Sequence, residues 1–371
     1  MPTVKPTSEK PRLIPLVSDT ETQPTAEMRI AIANADVGDE QRGEDPTVNR
    51  LQARVAELLG KEAALWFPGG TMCNFVAVKV HTRPADGVIA DWMSHVIRAE
   101  SAGVALSSGV LVEPIVTQRG VFTVDQAQEA LNRLSTVAPP YGPPPKLLCV
   151  EQTHNFAGGA IWSLQELAAV SEFSKRNGLA THMDGARLLN ACVASGVSAA
   201  SYASHVDSVW IDFTKGLGAP IGAVMAGSRE FIAEARRYKH VFAGAMRQAG
   251  IAAAGCLHAL DHHVDRLAED HSNARRLANG LSEVEGIKVL TAVPETNMVY
   301  FDPAGLGLSH DAFLSELEHR GVRMGKVRGA IRAVTHLDVS SADIEHATQA
   351  IRDIAANPGQ RQTGQGARQG Y

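Results

Sequence analysis

Lys215 lies in Asp212-Phe213-Thr214-Lys215-Gly216-Leu217-Gly218, directly after an apolar run and among glycines. An amine so placed is suited to approach a bound aldehyde. Partial desolvation lowers its pKa and frees the neutral nucleophile for a Schiff base. A surface lysine at a strand exit is the alternative. Asp184, in His182-Met183-Asp184-Gly185-Ala186-Arg187, also follows an apolar run. A carboxylate there can pair with a protonated pyridine nitrogen, or it can cap the helix expected from Gly185. Pro68-Gly69-Gly70-Thr71 separates a short apolar strand from a helix start. Backbone N–H groups and the Thr71 hydroxyl can cradle a phosphate there, although a plain tight turn looks the same. Arg187 and Arg332 could each grip a carboxylate in fork geometry, against the commoner solvated role of an arginine.

These residues need rigid elements behind them. Asp45 can cap a helix whose first turn holds Pro46. Val48, Leu51, Val55 and Leu58 then recur at helical spacing until Gly60. Ala63–Phe67 reads as a strand, with a new helix from about Thr71. Lys146–Val150, Leu179–Met183 and Ser208–Phe213 read as strands starting about 30 residues apart, the length of a βαβ unit. Between the first two, Ser163 and Glu166 form a capping-box pair, and Asn177-Gly178 stops the helix. The fold expected is therefore α/β, a mostly parallel sheet covered by helices, with ligands beyond the carboxyl ends of its strands. From about residue 275 the pattern changes: two short strands in 288–301, a helix over 309–320, a strand over 331–336 and a helix over 341–356. The domains expected are a large one over 13–274 and a small α+β one over 275–356. Residues 1–12 read as a loose arm, and 357–371 as a Gly/Gln/Arg-rich tail.

Composition narrows the function classes. Of 371 residues, 44% are hydrophobic and 20% charged, so a sizeable core can form. The net charge of −5 gives no basic footprint for nucleic acid. No apolar run reaches the roughly 18 residues of a membrane span, and the N-terminus lacks a signal peptide's apolar core, so a cytoplasmic protein is expected. Cys73, Cys149, Cys192 and Cys256 lie far apart and read as reduced, inert thiols. His258 and His262 sit at i, i+4, but Ala259 follows His258 where a metalloprotease has glutamate. A solvated helix face is expected there, and no metal.

Phosphate cradle, aspartate and lysine on successive strands is the chain order of a fold type I pyridoxal-phosphate enzyme. At this level the sequence resembles the L-threonine aldolases of the beta-eliminating lyase family, from about Ser18 to about Ile354. The resemblance rests on Ser18-Asp19-Thr20, Gly43-Glu44-Asp45-Pro46-Thr47-Val48-Asn49, Pro68-Gly69-Gly70-Thr71, Thr153-His154-Asn155, Asp184-Gly185-Ala186-Arg187, Lys215-Gly216-Leu217-Gly218-Ala219-Pro220, Met246-Arg247-Gln248-Ala249-Gly250, Thr296-Asn297-Met298 and Thr335-His336-Leu337-Asp338. It implies pyridoxal 5'-phosphate as cofactor and a homodimer or homotetramer with sites between subunits. It also implies roles: Lys215 as the Schiff-base lysine, Asp184 on the ring nitrogen, His95 stacked on the ring, and Gly70, Thr71 and Arg247 on the phosphate. Ser18, Arg187 and Arg332 match the group holding the substrate's carboxylate, with Arg187 also counted in the cofactor set.

The reaction implied is cleavage of the Cα–Cβ bond of a β-hydroxy-α-amino acid to glycine and an aldehyde. His95 is the best base candidate, with a reference pKa of about 6.5, or it only stacks on the ring. His154 and His182 read as hydrogen-bonded structural groups flanking the site. The chain departs from the family pattern at Val17, Gln41-Arg42, Gly69 and Tyr141, which gather around the substrate's side chain. Tyr141 replaces a second histidine near the hydroxyl. Arg42 adds a cation suited to an acidic substrate such as 3-hydroxyaspartate, or is a surface arginine. A racemase, β-eliminating lyase or transaldolase on the same cofactor is the neighbouring alternative. A non-catalytic binding module is the distant one, disfavoured by the joint presence of Lys215, Asp184, Arg187 and Arg332.

Overall fold

Local signals in the sequence are met where they were expected. Asp45 caps the helix Pro46–Leu59 by accepting from the Thr47 and Val48 amides, and Gly60 closes it with φ of 60°. Ser163 and Glu166 form the reciprocal capping box of the helix Leu164–Arg176, which ends at Asn177. The computed structural model describes residues 13–138, 140–291 and 293–357. The expected arm over 1–12, and the tail beyond Asn357, lie outside the described residues.

Among the described residues the strands are β1 (Ile14–Leu16), β2 (Ala63–Phe67), β3 (Gly87–Asp91), β4 (Leu111–Ile115), β5 (Pro145–Glu151), β6 (Ala180–Gly185), β7 (Ser208–Asp212), β8 (Ala223–Gly227), β9 (Lys288–Val289), β10 (Met298–Asp302), β11 (Val322–Val327) and β12 (Ala330–Val334). The described residues divide into two compact units, 22–268 and a second made of 13–21 with 269–357.

The larger unit holds a seven-stranded sheet in the order β2-β8-β7-β6-β5-β3-β4. β3, β4, β5, β6 and β7 run parallel, and β8 is antiparallel to both β7 and β2. Alternate residues of a strand face opposite sides of a sheet. Here Ile89, Leu148, Val150, Val209 and Ile211 enter one apolar cluster. Their neighbours Val88, Ala90, Leu147, Cys149 and Trp210 enter two others. Both faces are thus buried, which is why these strands read as continuous apolar runs rather than as alternation. The closing residues of β5, β6 and β7 are Glu151, Asp184-Gly185 and Asp212, so carboxylates line the carboxyl edge of an apolar sheet.

The smaller unit holds a five-stranded sheet, β1-β11-β12-β10-β9. Its start corrects the expected boundaries. Residues 13–21 had been expected with the large domain, but β1 pairs in parallel with β11, Ile14 opposite Val322. Ile14 and Leu16 bury into this unit's core beside Val299, Phe301 and Ile331. The later boundary falls at Ala268/Glu269 instead of 274/275. No helix among the described residues is long and apolar enough to cross a membrane.

Candidate active site

Asp184 lies inside β6, opposite Glu151 of β5 and Trp210 of β7, instead of just past the strand end as expected. Strand pairing therefore fixes its backbone, and the side chain is buried. Its Oδ1 accepts from the Ala186 amide at 3.0 Å and its Oδ2 from Asn74 Nδ2 at 2.9 Å. Burial is the main reason its pKa is pushed up to about 6. The charges of Glu151 and Glu100 add to this, and those of His95 and Lys215 oppose it. The site thus holds a desolvated carboxylate among like charges, a setting that calls for another cation.

Lys215 follows β7 by three residues, on a loop pinned from two sides. Thr22 Oγ1 donates to the Lys215 carbonyl at 2.8 Å, and His263 Nδ1 lies 2.7 Å from the Leu217 carbonyl. Gly218, at φ of 74°, turns the chain back. The side chain is 15% exposed, and its amine rests 3.1 Å from Asp212 Oδ2. Asp212 Oδ1 also accepts from the Thr214 amide and hydroxyl at 2.9 and 2.7 Å.

His95 opens a short helix after β3. Its amide donates to Glu151 Oε2 at 2.7 Å, and its Nδ1 lies 2.7 Å from Glu100 Oε1. Burial is the largest single influence on the ring and lowers its pKa. The Glu100 hydrogen bond and the Asp184 and Glu151 charges together outweigh it, so the pKa is raised. His95, Glu100 and Asp184 offer ligand atoms within 4.8 Å of one another. His154, also expected near the site, lies with Nε2 3.1 Å from Asp91 Oδ1, off the axis of a good hydrogen bond. The His258 and His262 rings lie 4.4 Å apart, tilted at 45° to each other.

The glycine turn has a different logic from the one expected. Gly69 has open space where a Cβ would sit, and it leaves the helix Gly70–His81 without a side-chain cap. The amides there are free to face an anion, with Thr71 exposed beside them. A Cβ on Gly70, by contrast, would come within 2.3 Å of the Trp210 ring. The packing of Trp210 beneath the turn is thus enough to require glycine at 70. A Gly70→Ala variant is expected to lose about 1–3 kcal/mol by overpacking, read as a lower urea midpoint of the apoprotein.

Arg187 is buried just after β6, its amide on the Gln152 carbonyl at 3.2 Å. Arg247 is 60% exposed and pairs with Asp39 at 2.9 Å; Arg42, 72% exposed, lies 3.7 Å from the same carboxylate. Tyr141 is 87% exposed and precedes β5, at the amino edge of the sheet, so the chain itself does not bring it to the cluster. Within the smaller unit, Arg332 alternates with Ile331 and Ala333 on β12. Its Nη2 donates to the Val17 carbonyl at 3.0 Å, next to Ser18. Asn74, Glu100, Glu151 and Asp212 were not foreseen. Two had a signal: Glu151 ends an apolar strand as Asp184 does, and Asn74 interrupts an apolar helix.

The residues present suit pyridoxal phosphate. A buried carboxylate short of a cation fits a protonated ring nitrogen, a partly exposed lysine amine fits a carbonyl, and an uncapped helix N-terminus fits a phosphate. A lysine and a carboxylate so arranged at the carboxyl edge of a mostly parallel sheet define an α/β enzyme working through a carbonyl-bearing cofactor. A profile of the beta-eliminating lyase family matches residues 15–304. The sequence is 36% identical to low-specificity L-threonine aldolase 1 of Arabidopsis thaliana, covering 90% of this chain and 94% of that one. It is 38% identical to the low specificity L-threonine aldolase of Escherichia coli K12, covering 88% and 95%. The solved structure of Leishmania major threonine aldolase shares the fold, with a TM-score of 0.78 at 21% identity over 91% of this chain and 98% of that one. The chain belongs to the beta-eliminating lyase family, and its cofactor is pyridoxal phosphate.

Proposed function

We propose that this protein is an aldehyde-lyase of the threonine aldolase type, cleaving Cα–Cβ of a small β-hydroxy-α-amino acid to glycine and an aldehyde. The observation that carries the reading is the buried Asp184, its pKa raised chiefly by burial, near a lysine amine that rests 3.1 Å from Asp212. The curated relatives, matched over most of their length, supply the substrate class.

Bound pyridoxal phosphate supplies an electron sink for the pair left at Cα. The protein's own groups do the rest. Asp212 holds the Lys215 amine in place by its side chain, and the Thr22 and His263 contacts keep that loop still. Asp184 holds a proton on the ring nitrogen by charge, so the ring keeps its pull on electrons. Glu100 accepts from His95 Nδ1–H, which leaves Nε2 with the lone pair. His95 Nε2 is then the base for the substrate's β-hydroxyl proton. Gly70, Thr71 and Arg247 are assigned to the phosphate. Arg187 is the larger unit's candidate for the substrate's carboxylate, as Arg332 beside Ser18 is the smaller unit's. The exposure of Arg247 in a single chain fits a role toward a second copy, so at least a homodimer is proposed; light scattering checks it.

The deciding experiment is product analysis with L-threonine, L-allo-threonine and 3-hydroxyaspartate. Glycine and the matching aldehyde in equal amounts are expected. Ammonia with a 2-oxo acid, or a change of configuration at Cα alone, would overturn the reading in favour of elimination or racemisation. A His95→Phe variant separates base from platform. It keeps an aromatic face for the ring, so cofactor affinity is expected to hold while kcat falls about 10²–10⁴-fold. An unchanged kcat would leave His95 as a platform only.

A further inference from the structure

Asn74 is buried, and every hydrogen-bonding group of its amide is engaged. Nδ2 donates to Asp184 Oδ2 at 2.9 Å and to Glu100 Oε1 at 2.6 Å. Oδ1 accepts from Trp210 Nε1 at 2.7 Å and lies 3.2 Å from His182 Nε2. The partners fix which way the amide faces. An indole N–H only donates and an ionised carboxylate only accepts, so the carbonyl faces Trp210 and the amino group faces Asp184.

The same logic sets the direction of the next links. Asn74 Oδ1 has no proton to give, so His182 Nε2 is the donor. His182 is fully buried, and burial first, then the neighbouring His81, lowers its pKa to about 3. A neutral ring with Nε2–H has its lone pair on Nδ1, which accepts from Ser208 Oγ at 2.8 Å. His182 and Ser208 are register partners on β6 and β7, so sheet pairing holds this link. Ser208 Oγ then accepts from His81 Nε2, also at 2.8 Å. His81 is stacked on Phe231 at 4.7 Å. It lines a cleft of about 580 Å³ at the amino edge of the sheet, with Lys175, Asp207, Ser228 and Glu230. A one-way chain of N–H and O–H dipoles therefore runs along one face of the sheet, from that cleft to Asp184.

We propose that Asn74 and His182 are positioning residues for the cofactor's ring nitrogen: backed by Ser208 and His81, they lock the Asn74 amide so that Asp184 always meets its amino group. This rests on the reading that Asp184 receives that nitrogen. A flipped amide would set a carbonyl oxygen against two carboxylates and an amino group against the indole N–H. Either mismatch strands a buried polar group.

Two measurements test it. In the wild-type apoprotein, ¹⁵N spectra are expected to show His182 neutral with its proton on Nε2 at pH 7. A charged ring, or a proton on Nδ1, would overturn the relay whatever the enzyme's reaction. In His182→Leu, the dissociation constant for pyridoxal phosphate, read by tryptophan quenching, is expected to rise about tenfold, because one of the two hydrogen bonds that hold the Asn74 amide toward Asp184 is lost and Trp210 alone remains on its carbonyl. His182→Gln, which can return an N–H donor toward Asn74, should recover most of that loss. Wild-type affinity in His182→Leu would overturn the proposal. If His182→Leu does not fold, the ¹⁵N spectrum decides alone. Failure of the wild type to bind the cofactor would sink the functional reading instead, and the tautomer measurement separates the two.

Discussion

Lys215→Arg is expected to lower kcat about 10⁴-fold or more, the scale seen when a covalent nucleophile is removed, with little change in the urea midpoint. The substitution keeps the charge of the side chain and removes its nucleophilicity. Asp212 is nearly buried and takes two hydrogen bonds from Thr214 besides the Lys215 amine at 3.1 Å. Arginine keeps a cation for that carboxylate. Its guanidinium is always protonated and cannot add to a carbonyl. Lys215→Ala removes both properties, so it should be as inactive and also less stable. Because Thr214 still satisfies part of Asp212, the loss is expected at about 1–3 kcal/mol. The backbone of the loop should survive both changes, since Thr22 and His263 hold main-chain carbonyls. Steady-state kinetics, urea midpoints and reductive trapping of the cofactor, located by peptide mass, read the three effects. Turnover within tenfold of wild type in either variant would remove Lys215 from the chemistry.

What the sequence disclosed, and what it withheld, divides by range. Asp45 with Pro46, and Ser163 with Glu166, act within one helical turn, so their signals are written in adjacent residues. Asp184 and Lys215 were legible because a buried parallel sheet turns apolar runs into strands and places whatever follows at one edge. The contacts that tune them are long in sequence. Asn74 meets Asp184 across 110 positions, and β1 finds β11 across the length of the chain. The local pattern around Glu100 (Arg98-Ala99-Glu100-Ser101) does not distinguish it from a surface residue, yet it is buried against His95 and Asn74. The reversed direction of β8 was equally invisible, because a fully buried strand reads the same in either sense. Gly70 shows the opposite fault. Its type was read correctly as special, but the packing that demands it is the Trp210 ring.

Asp184→Asn is expected to lower kcat about 10²–10³-fold, the range for losing one preorganised charge in a dry site. It should also change how the apoprotein's stability depends on pH. The sign follows from where the proton binds more tightly. Asp184 is raised from 3.8 to about 6 in the folded chain, chiefly by burial and then by Glu151. Between these values the folded state holds a proton that the unfolded state has released, so stability falls as pH rises through the window. Above it the whole penalty is present, about 3 kcal/mol for a shift of this size. Apoprotein at pH 7 should therefore be less stable than at pH 5 by about 1–1.5 kcal/mol from this group, the rest of the penalty already being present at pH 5. Asparagine carries no charge at either pH, so the variant's two urea midpoints should draw together. Cofactor bound to the wild type should flatten the same curve by another route, because a protonated ring nitrogen gives the carboxylate the cation it lacks. A steep apoprotein, a flat holoprotein and a flat variant together assign the ring-nitrogen contact to Asp184. A variant as steep as the wild type would move that pH dependence onto other groups, with Glu151 and Glu100 first among them.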